Sequence, residues 1–351
     1  MSAARHCLHA AIVACRQRAP AVLVVVMASE GSTYAHAGAI ALFGADGAQQ
    51  GWLSGGCLEP EIARCAARAA AAGALAWMEI DTRDDDDLLS GSAVGCRGRL
   101  RLALLPLAAL PGIERLAQAW LQRRGGLTLA LDGDGGVVAA VAGQMLQWWV
   151  PCQAWNGAAA CGGQVQVPPP PRVSVFGAGP ETAVLLPLLR QLGWMTTLVE
   201  QRPRWMAQAV LADLALACTP TRALADCADS DAALVMHHHF ELDREALDAL
   251  AGSTIPFLGL LGPPRRREDL FRLLRPQQHA QLLPRLHAPV GLRLGGSGAE
   301  AIALSIAAQL QATRTAPPRP DAVAEAGGRP RRSHRDAVAP PVPLDAEEEA
   351  R

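Results

Sequence analysis

The chain alternates short apolar runs with amphipathic stretches, and that alternation sets the expected elements. Residues 2–19 read as a helix. The unbroken apolar run Ala21-Val22-Leu23-Val24-Val25-Val26-Met27 predicts a buried strand. A hairpin follows, with strands over Ala39–Phe43 and Gln49–Leu53 joined at Gly44-Ala45-Asp46-Gly47. Leu58, Ile62, Cys65 and Ala69 recur at spacings of three and four, so Leu58–Ala72 predicts an amphipathic helix with Cys65 in the core. Strands are expected over Leu75–Ile80 and Arg99–Leu105 and around 127–131, 137–141 and 146–150, with a helix near 112–123.

Residues 151–171 break every regular pattern. Asn156-Gly157, Gly162-Gly163 and Pro168–Pro171 predict a stiff, extended linker. Beyond it, strands expected at 172–176, 195–200, near 215–218, 232–236 and 255–261 alternate with helices, the last over Ala299–Gln311. Such alternation implies a parallel, doubly wound sheet. The expected fold class is therefore α/β: an N-terminal mixed α+β domain (1–150), a linker (151–171) and a C-terminal Rossmann-like domain (172–312). Residues 313–351 are rich in Pro, Ala, Arg and Glu, cannot bury a core, and are expected to be a disordered tail.

Composition narrows the function. With 351 residues and 50% hydrophobic content the chain can fill two cores. A formal net charge of -1 supplies no field for nucleic acid or an anionic membrane. The longest apolar run, Ala21–Ala28, falls far short of the ~20 residues of a membrane helix. No export signal is visible, so the expected location is cytoplasmic, with reduced thiols. None of the nine cysteines forms a CxxC pair, which removes support for zinc-ribbon chemistry.

Two stretches carry candidate thiol chemistry. In Leu53-Ser54-Gly55-Gly56-Cys57-Leu58-Glu59, two glycines lead a cysteine into the start of a helix. Glycines expose backbone N–H groups, and a helix start favours a thiolate and any nearby anion. Gly95-Cys96-Arg97-Gly98 repeats the design. The ordinary alternative is a pair of loop thiols. The functional one is a soft metal ligand or a sulfur carrier. Asp84–Asp87 reads as a solvated turn.

In the second half, Gly177-Ala178-Gly179 lies between a strand and a helix, and Glu200 closes the next strand about twenty residues on, where a dinucleotide fold holds a ribose hydroxyl. Thr182 stands in place of the third glycine, and a tight strand–helix turn needs the same two glycines. NAD(P) binding and a structural turn both stay open. His237-His238-His239 and Gly262-Pro263-Pro264-Arg265 are expected on the same sheet edge. Neighbouring histidines on an extended chain point to opposite faces, which suits a metal poorly.

At these residues the chain resembles the XdhC/CoxI family of xanthine dehydrogenase and carbon monoxide dehydrogenase maturation factors, over residues 1 to about 312. The matching residues are Glu30-Gly31-Ser32-Thr33-Tyr34 with Gly38, Ser54–Glu59, Asp81-Thr82-Arg83 and Gly95–Gly98. In the second half they are Phe176–Gly179, Arg202-Pro203, His287–Leu292 and Glu300 with the helix behind it. The resemblance implies a chaperone that binds the molybdenum cofactor, supports its sulfuration with sulfur from a cysteine desulfurase, and delivers it to a molybdenum hydroxylase client. It implies Cys57 and Cys96 as the functional thiols, with Cys57 as a molybdenum ligand or sulfur carrier. Gly55, Gly56, Glu59, Gly95 and Arg97 become the expected contacts of that cofactor, while Gly177, Gly179 and Glu200 are the expected cofactor contacts of the Rossmann-like domain, where NAD(P) stays open. A homodimer stays open. The chain departs from the family at Ala35-His36-Ala37, where basic residues are usual, and at Pro180, His237–Phe240 and Gly262–Arg265.

Overall fold

A computed structural model describes residues 3–82, 97–154 and 162–315. Cys96, Gly95, the acid run at 84–87 and the tail beyond 315 lie outside them.

The first half is built on β1 (Ala21–Gly31), the longest strand. Its side chains alternate between two cores. Ala21, Leu23 and Val25 face one, and Val22, Val24 and Val26 face the other; all six are at most 5% exposed. A strand buried on both faces needs a layer on each. Helix α1 (Ala3–Gln17) covers the first face with Leu8, Ala11 and Ile12. Helix α2 (Glu59–Ala72) covers the second with Ile62, Cys65, Ala66 and Ala69, the stripe its spacing predicts. Gly73 in the left-handed region ends α2, its N–H returning to Ala69 and Ala70.

The sheet around β1 also holds β2 (Ile40–Gly44), β3 (Gln49–Gln50), β4 (Leu75–Asp81) and β5 (Gly98–Pro106). The expected second hairpin strand stops at Gln50, and Leu53, fully buried, anchors the chain beyond it. Helix α3 (Ile113–Leu121) and the strands β6 (Leu127–Leu131), β7 (Gly136–Val141) and β8 (Gln144–Trp149) extend the α1 core with a second sheet.

The stretch expected as a linker contributes to both sheets. β9 (Cys152–Ala154) pairs in parallel with β4, and β10 (Gly163–Val167) pairs with β6. The strand orders are β3-β2-β1-β5-β4-β9 and β10-β6-β7-β8. Val165 and Val167 are buried and join the α1 core. Only Pro168–Pro171 remains as a connector before the next strand.

The second half is the expected parallel sheet. It comprises β11 (Arg172–Phe176), β12 (Met195–Val199), β13 (Leu214–Leu216), β14 (Ala232–Val235), β15 (Phe257–Leu260) and β16 (Leu286–His287). Every pairing is parallel, in the order β13-β12-β11-β14-β15-β16. Strand order therefore reverses between β11 and β14, the point where such folds open a ligand crevice. Helices α4 (Thr182–Gln191) and α9 (Ala299–Thr315) pack on one face. On the other lie α5 (Pro220–Cys227), α6 (Phe240–Ala251), α7 (Pro264–Phe271) and α8 (Pro276–Leu282).

The halves meet through the opposite edge of that sheet, where its strands begin. From α1, Arg5 bonds the Trp194 carbonyl and the Asp213 carboxylate. From the end of α3, Arg123 donates to the Asp229 carbonyl at 2.8 Å and to Asp231 at 3.1 Å. Among the described residues no helix is long and apolar enough to cross a membrane.

A spacer would tolerate change at 165; a core strand would not. Val165→Ala should lower the unfolding free energy by about 1.5–3 kcal/mol in urea denaturation. Gln166→Ala, exposed on the same strand, should stay within about 0.5 kcal/mol of the parent.

Candidate functional site

The loop between β3 and α2 is shaped by its own helix. Glu59, in the first turn of α2, is 4% exposed, and its carboxylate turns back into the loop. One oxygen accepts from the N–H groups of Leu53 at 2.9 Å and Ser54 at 2.8 Å. The other accepts from Gly56 N–H at 2.7 Å and from the Ser54 hydroxyl. Ser54 Oγ in turn accepts from Leu58 N–H at 2.9 Å. The turn requires glycine at two places: Gly55 has φ +75° and Gly56 φ +113°, both in the left-handed region.

This arrangement changes the roles expected of these residues. Glu59 is a contact of the loop itself, and the N–H groups of Leu53, Ser54 and Gly56 are occupied by its carboxylate, so they are no phosphate cradle. Burial pushes the Glu59 carboxyl up, but the hydrogen bonds from Ser54 and Leu53 more than offset it and hold it below the usual carboxylate range.

What the loop presents is Cys57. Among the described cysteines it alone is exposed. It stands just before the Leu58 N-cap, and its thiol donates to the Ser54 carbonyl at 3.2 Å. The core thiols are closed off instead. Burial pushes Cys7 up to about 12 and Cys65 up to about 11, which leaves both inert at neutral pH. The neighbouring loops gather at the same end of the sheet. Ser32 N–H donates to the Arg97 carbonyl at 3.0 Å, and Thr82 exchanges hydrogen bonds with Gly98 at 2.9 and 3.1 Å. A Cβ on Gly98 would lie 2.4 Å from Thr33, so glycine is needed for this approach. Arg97 is thereby fixed, through its backbone, at the rim of the Cys57 loop. Cys96 and Gly95 precede it outside the described residues.

The second candidate lies at the crevice between β11 and β14. The glycine turn after β11 is already satisfied by protein. Gly177 N–H donates to the Val199 carbonyl at 2.9 Å, Ala178 N–H to Glu200 at 2.8 Å and Gly179 N–H to the Thr182 hydroxyl at 2.9 Å. A Cβ on Gly177 would fall 2.4 Å from His237, and one on Gly179 would fall 2.9 Å from the His238 ring. The space beside the glycines is thus filled by histidines of the β14–α6 loop.

Glu200 is equally committed. Its carboxylate takes Arg202 Nε at 2.9 Å, Arg202 N–H at 2.7 Å and Arg202 Nη2 at 2.6 Å, besides Ala178. Burial raises the Glu200 carboxyl and the Arg202 and Ala178 bonds outweigh it, so its pKa is lowered. Arg202 also donates to the carbonyls of His237 at 2.7 Å and Ala178 at 2.9 Å, tying three loops together.

The sequence missed one cluster here. Asp243, fully buried in α6, accepts from His237 Nδ1 at 3.0 Å and from its N–H at 3.0 Å; Arg266 supplies a further bond at 2.6 Å. Burial raises the Asp243 carboxyl, but the bonds from His237 and Arg266 lower it further. His238, at φ +54°, reaches Glu181 at 3.1 Å. The histidines do point in separate directions, but by a bend at His238 in the left-handed region rather than by the alternation of an extended chain. Among the described residues no cluster of three or more His, Cys, Asp or Glu side chains could hold a metal.

A parallel six-stranded sheet in this order, joined to a thiol-bearing α+β half, defines a two-part α/β protein with a Rossmann-type second domain. The chain belongs to the XdhC and CoxI family. The model of that name matches residues 14–81, and the XdhC Rossmann domain model matches 173–310. The chain is 27% identical over 327 residues to a protein of Bacillus subtilis named as a probable xanthine dehydrogenase subunit, covering 84% of this chain and 93% of the relative. A 77-residue stretch is 43% identical to the uncharacterised protein YqeB of Escherichia coli, covering 21% of this chain and 14% of that one. The crystal structure of a xanthine dehydrogenase from Bacillus halodurans superimposes with a TM-score of 0.73 at 25% identity, over 91% of this chain and 98% of that one.

Two outcomes follow from the geometry. Glu59→Gln places an amide N–H₂ among donors, leaving one unpaired, and should cost about 1–3 kcal/mol at pH 7. Because the folded carboxyl is lowered, its stabilisation is full above the ordinary glutamate range and is lost as pH falls through the lowered value. Glu59→Gln should flatten that part of the pH–stability curve in urea titrations between pH 7 and 2. At the other site, the occupied glycine-loop amides and Glu200 do not fit a dinucleotide, so calorimetric titration with NAD or NADP should give no binding heat.

Proposed function

We propose that the chain is a maturation factor for a xanthine dehydrogenase-type molybdenum hydroxylase, one that binds the molybdenum cofactor and supports its sulfuration and insertion. The observation that carries this reading is Cys57: the exposed thiol among the described cysteines, on a loop fixed by a buried carboxylate, in a chain of the XdhC and CoxI family. The kinship with proteins named as xanthine dehydrogenases supports the choice of client.

The fit is specific in one respect and absent in another. A thiol in a shaped, open loop suits a soft metal centre or a sulfur in transit. The amides bound to Glu59 do not suit a phosphate. Arg97, exposed at the same rim, is the candidate for that contact, with Cys96 beside it in sequence. The cofactor, when bound, supplies a molybdenum–dithiolene centre.

The protein's own residues divide the work. Glu59 and Ser54 hold the loop, Gly55 and Gly56 let it turn, and Cys57 presents sulfur to solvent. A cysteine desulfurase is the partner from which Cys57 would receive sulfur as a persulfide. Nothing in this scheme draws on Gly177, Gly179 or Glu200, which hold the Rossmann turn together.

The test is cofactor retention. Protein purified from cells that make the cofactor should carry molybdopterin, read as its fluorescent oxidation product. Cys57→Ala should lose most of it while Cys65→Ser, a core change, keeps the ratio of cofactor to folded protein. Cofactor-free parent protein, or equal retention in Cys57→Ala, would overturn the reading.

A further inference from the structure

Among the described residues most aromatic side chains are buried or half-buried. Trp77, Trp120, Trp194 and Phe176 are among the largest fully buried groups. Among the described residues three aromatic rings stand well open to solvent: Tyr34, Trp52 and Trp149. Two of the three meet at the Cys57 loop, Trp52 on the loop and Tyr34 against it from the connection between β1 and β2. Tyr34 is 59% exposed and Trp52 56%.

Both rings rest on the paired glycines. Tyr34 ring carbons lie 3.3–3.8 Å from where a Cβ of Gly55 would be, and Trp52 Cζ3 lies 3.9 Å from that of Gly56. Any side chain on Gly55 would press against the Tyr34 ring. The backbones carrying the rings are anchored. Leu53, next to Trp52, is fully buried and bound to Glu59. Ala35, next to Tyr34, is buried, and its carbonyl accepts from the Thr33 hydroxyl at 2.8 Å. Beside Tyr34, which lines it, a hollow of about 20 Å³ is walled by Thr33, Ser54, Cys57, Leu58 and Thr82. That volume takes about one water. A larger ligand must lie across the hollow, against the rings.

We infer that Tyr34 and Trp52 form a stacking surface for a flat, fused nitrogen heterocycle of the pterin class, with Cys57 at its margin. The proposal rests on the reading of this loop as a cofactor site and adds what holds the organic part. Anchored, exposed rings offer π faces at little ordering cost. The Leu53, Ser54 and Gly56 amides are taken by Glu59, and the Thr33 and Thr82 hydroxyls donate to backbone carbonyls, so attraction here comes from the ring faces and the Tyr34 hydroxyl. A flat polar heterocycle with donors and acceptors on its edge matches both.

The full chain would be titrated with 6-carboxypterin, which has no phosphate and no metal, and followed by the anisotropy of the pterin's own fluorescence. Parent protein should bind it. Trp52→Ala and Tyr34→Ala should each weaken binding about ten-fold or more, as loss of a base-stacking ring does elsewhere. Trp52→Phe should stay within about three-fold of the parent, since it keeps a π face. Trp149→Ala, which removes the third open ring, on β8 and away from the hollow, should leave binding unchanged. Equal affinity in Trp52→Ala and Tyr34→Ala overturns the stacking surface. So does a parent that ignores free pterin yet retains molybdopterin in a Cys57-dependent way, an outcome that spares the cofactor reading. Unchanged pterin affinity with lost capture of the hydroxylase in Trp52→Ala would make the rings a protein-docking surface and likewise overturn it.

Discussion

The first half depends on β1 being apolar on both faces. A strand of that kind has no solvent side, so the chain must supply a layer above and a layer below. α1 and α2 are those layers, and each brings a different part of the molecule with it. α2 brings the Cys57 loop, because the loop is the approach to its N-terminus. α1 brings the contacts to the Rossmann sheet, because Arg5 lies near its start. The positions of both candidate sites thus follow from one hydrophobic run.

Carboxylates then decide what the loops can do. Glu59, Glu200 and Asp243 are each at most 4% exposed, and each spends its oxygens on the chain that carries it. A buried anion is costly unless fully bonded, and here the bonds come from the N–H groups that a ligand would need. In the Rossmann half Glu200 takes one amide of the glycine turn, that of Ala178, and the Val199 carbonyl and Thr182 hydroxyl take the other two. In the first half Glu59 consumes the loop amides but leaves the thiol and the aromatic faces open. The same device closes one site and prepares the other.

Periodicity made most of the fold legible. β1, α2 and the alternating second half carry strong two- or 3.6-residue patterns, and the observed elements fall within a few residues of the expected ones. The 151–171 stretch misled because a three-residue strand has no period and because Gly162-Gly163 and the proline run mask Val165 and Val167. The site was half legible. Cys57 stood out, since glycines beside a cysteine signal an exposed loop. The commitments of Glu59 and Glu200 did not, because a hydrogen bond to a backbone N–H leaves no mark in the sequence. Nothing in the sequence separates Asp243 from Glu241 in the first turn of α6; only its contact with His237, from the β14–α6 loop, and Arg266, from α7, sets it apart. Trp52 falls within the expected strand Gln49–Leu53 and Tyr34 among the residues that carry the family resemblance, and neither pattern marks an exposed ring.

The contact through Arg5 and Arg123 has a consequence for traffic. Both arginines grip the edge of the parallel sheet where its strands begin, and the crevice at Gly177 and His237 opens at the other edge. Cys57 sits on the α2 side of the first sheet, away from α1. Neither opening is therefore spent on joining the halves: the contact uses the strand starts of one sheet and the α1 layer of the other, and leaves the strand ends and the α2 layer to ligands.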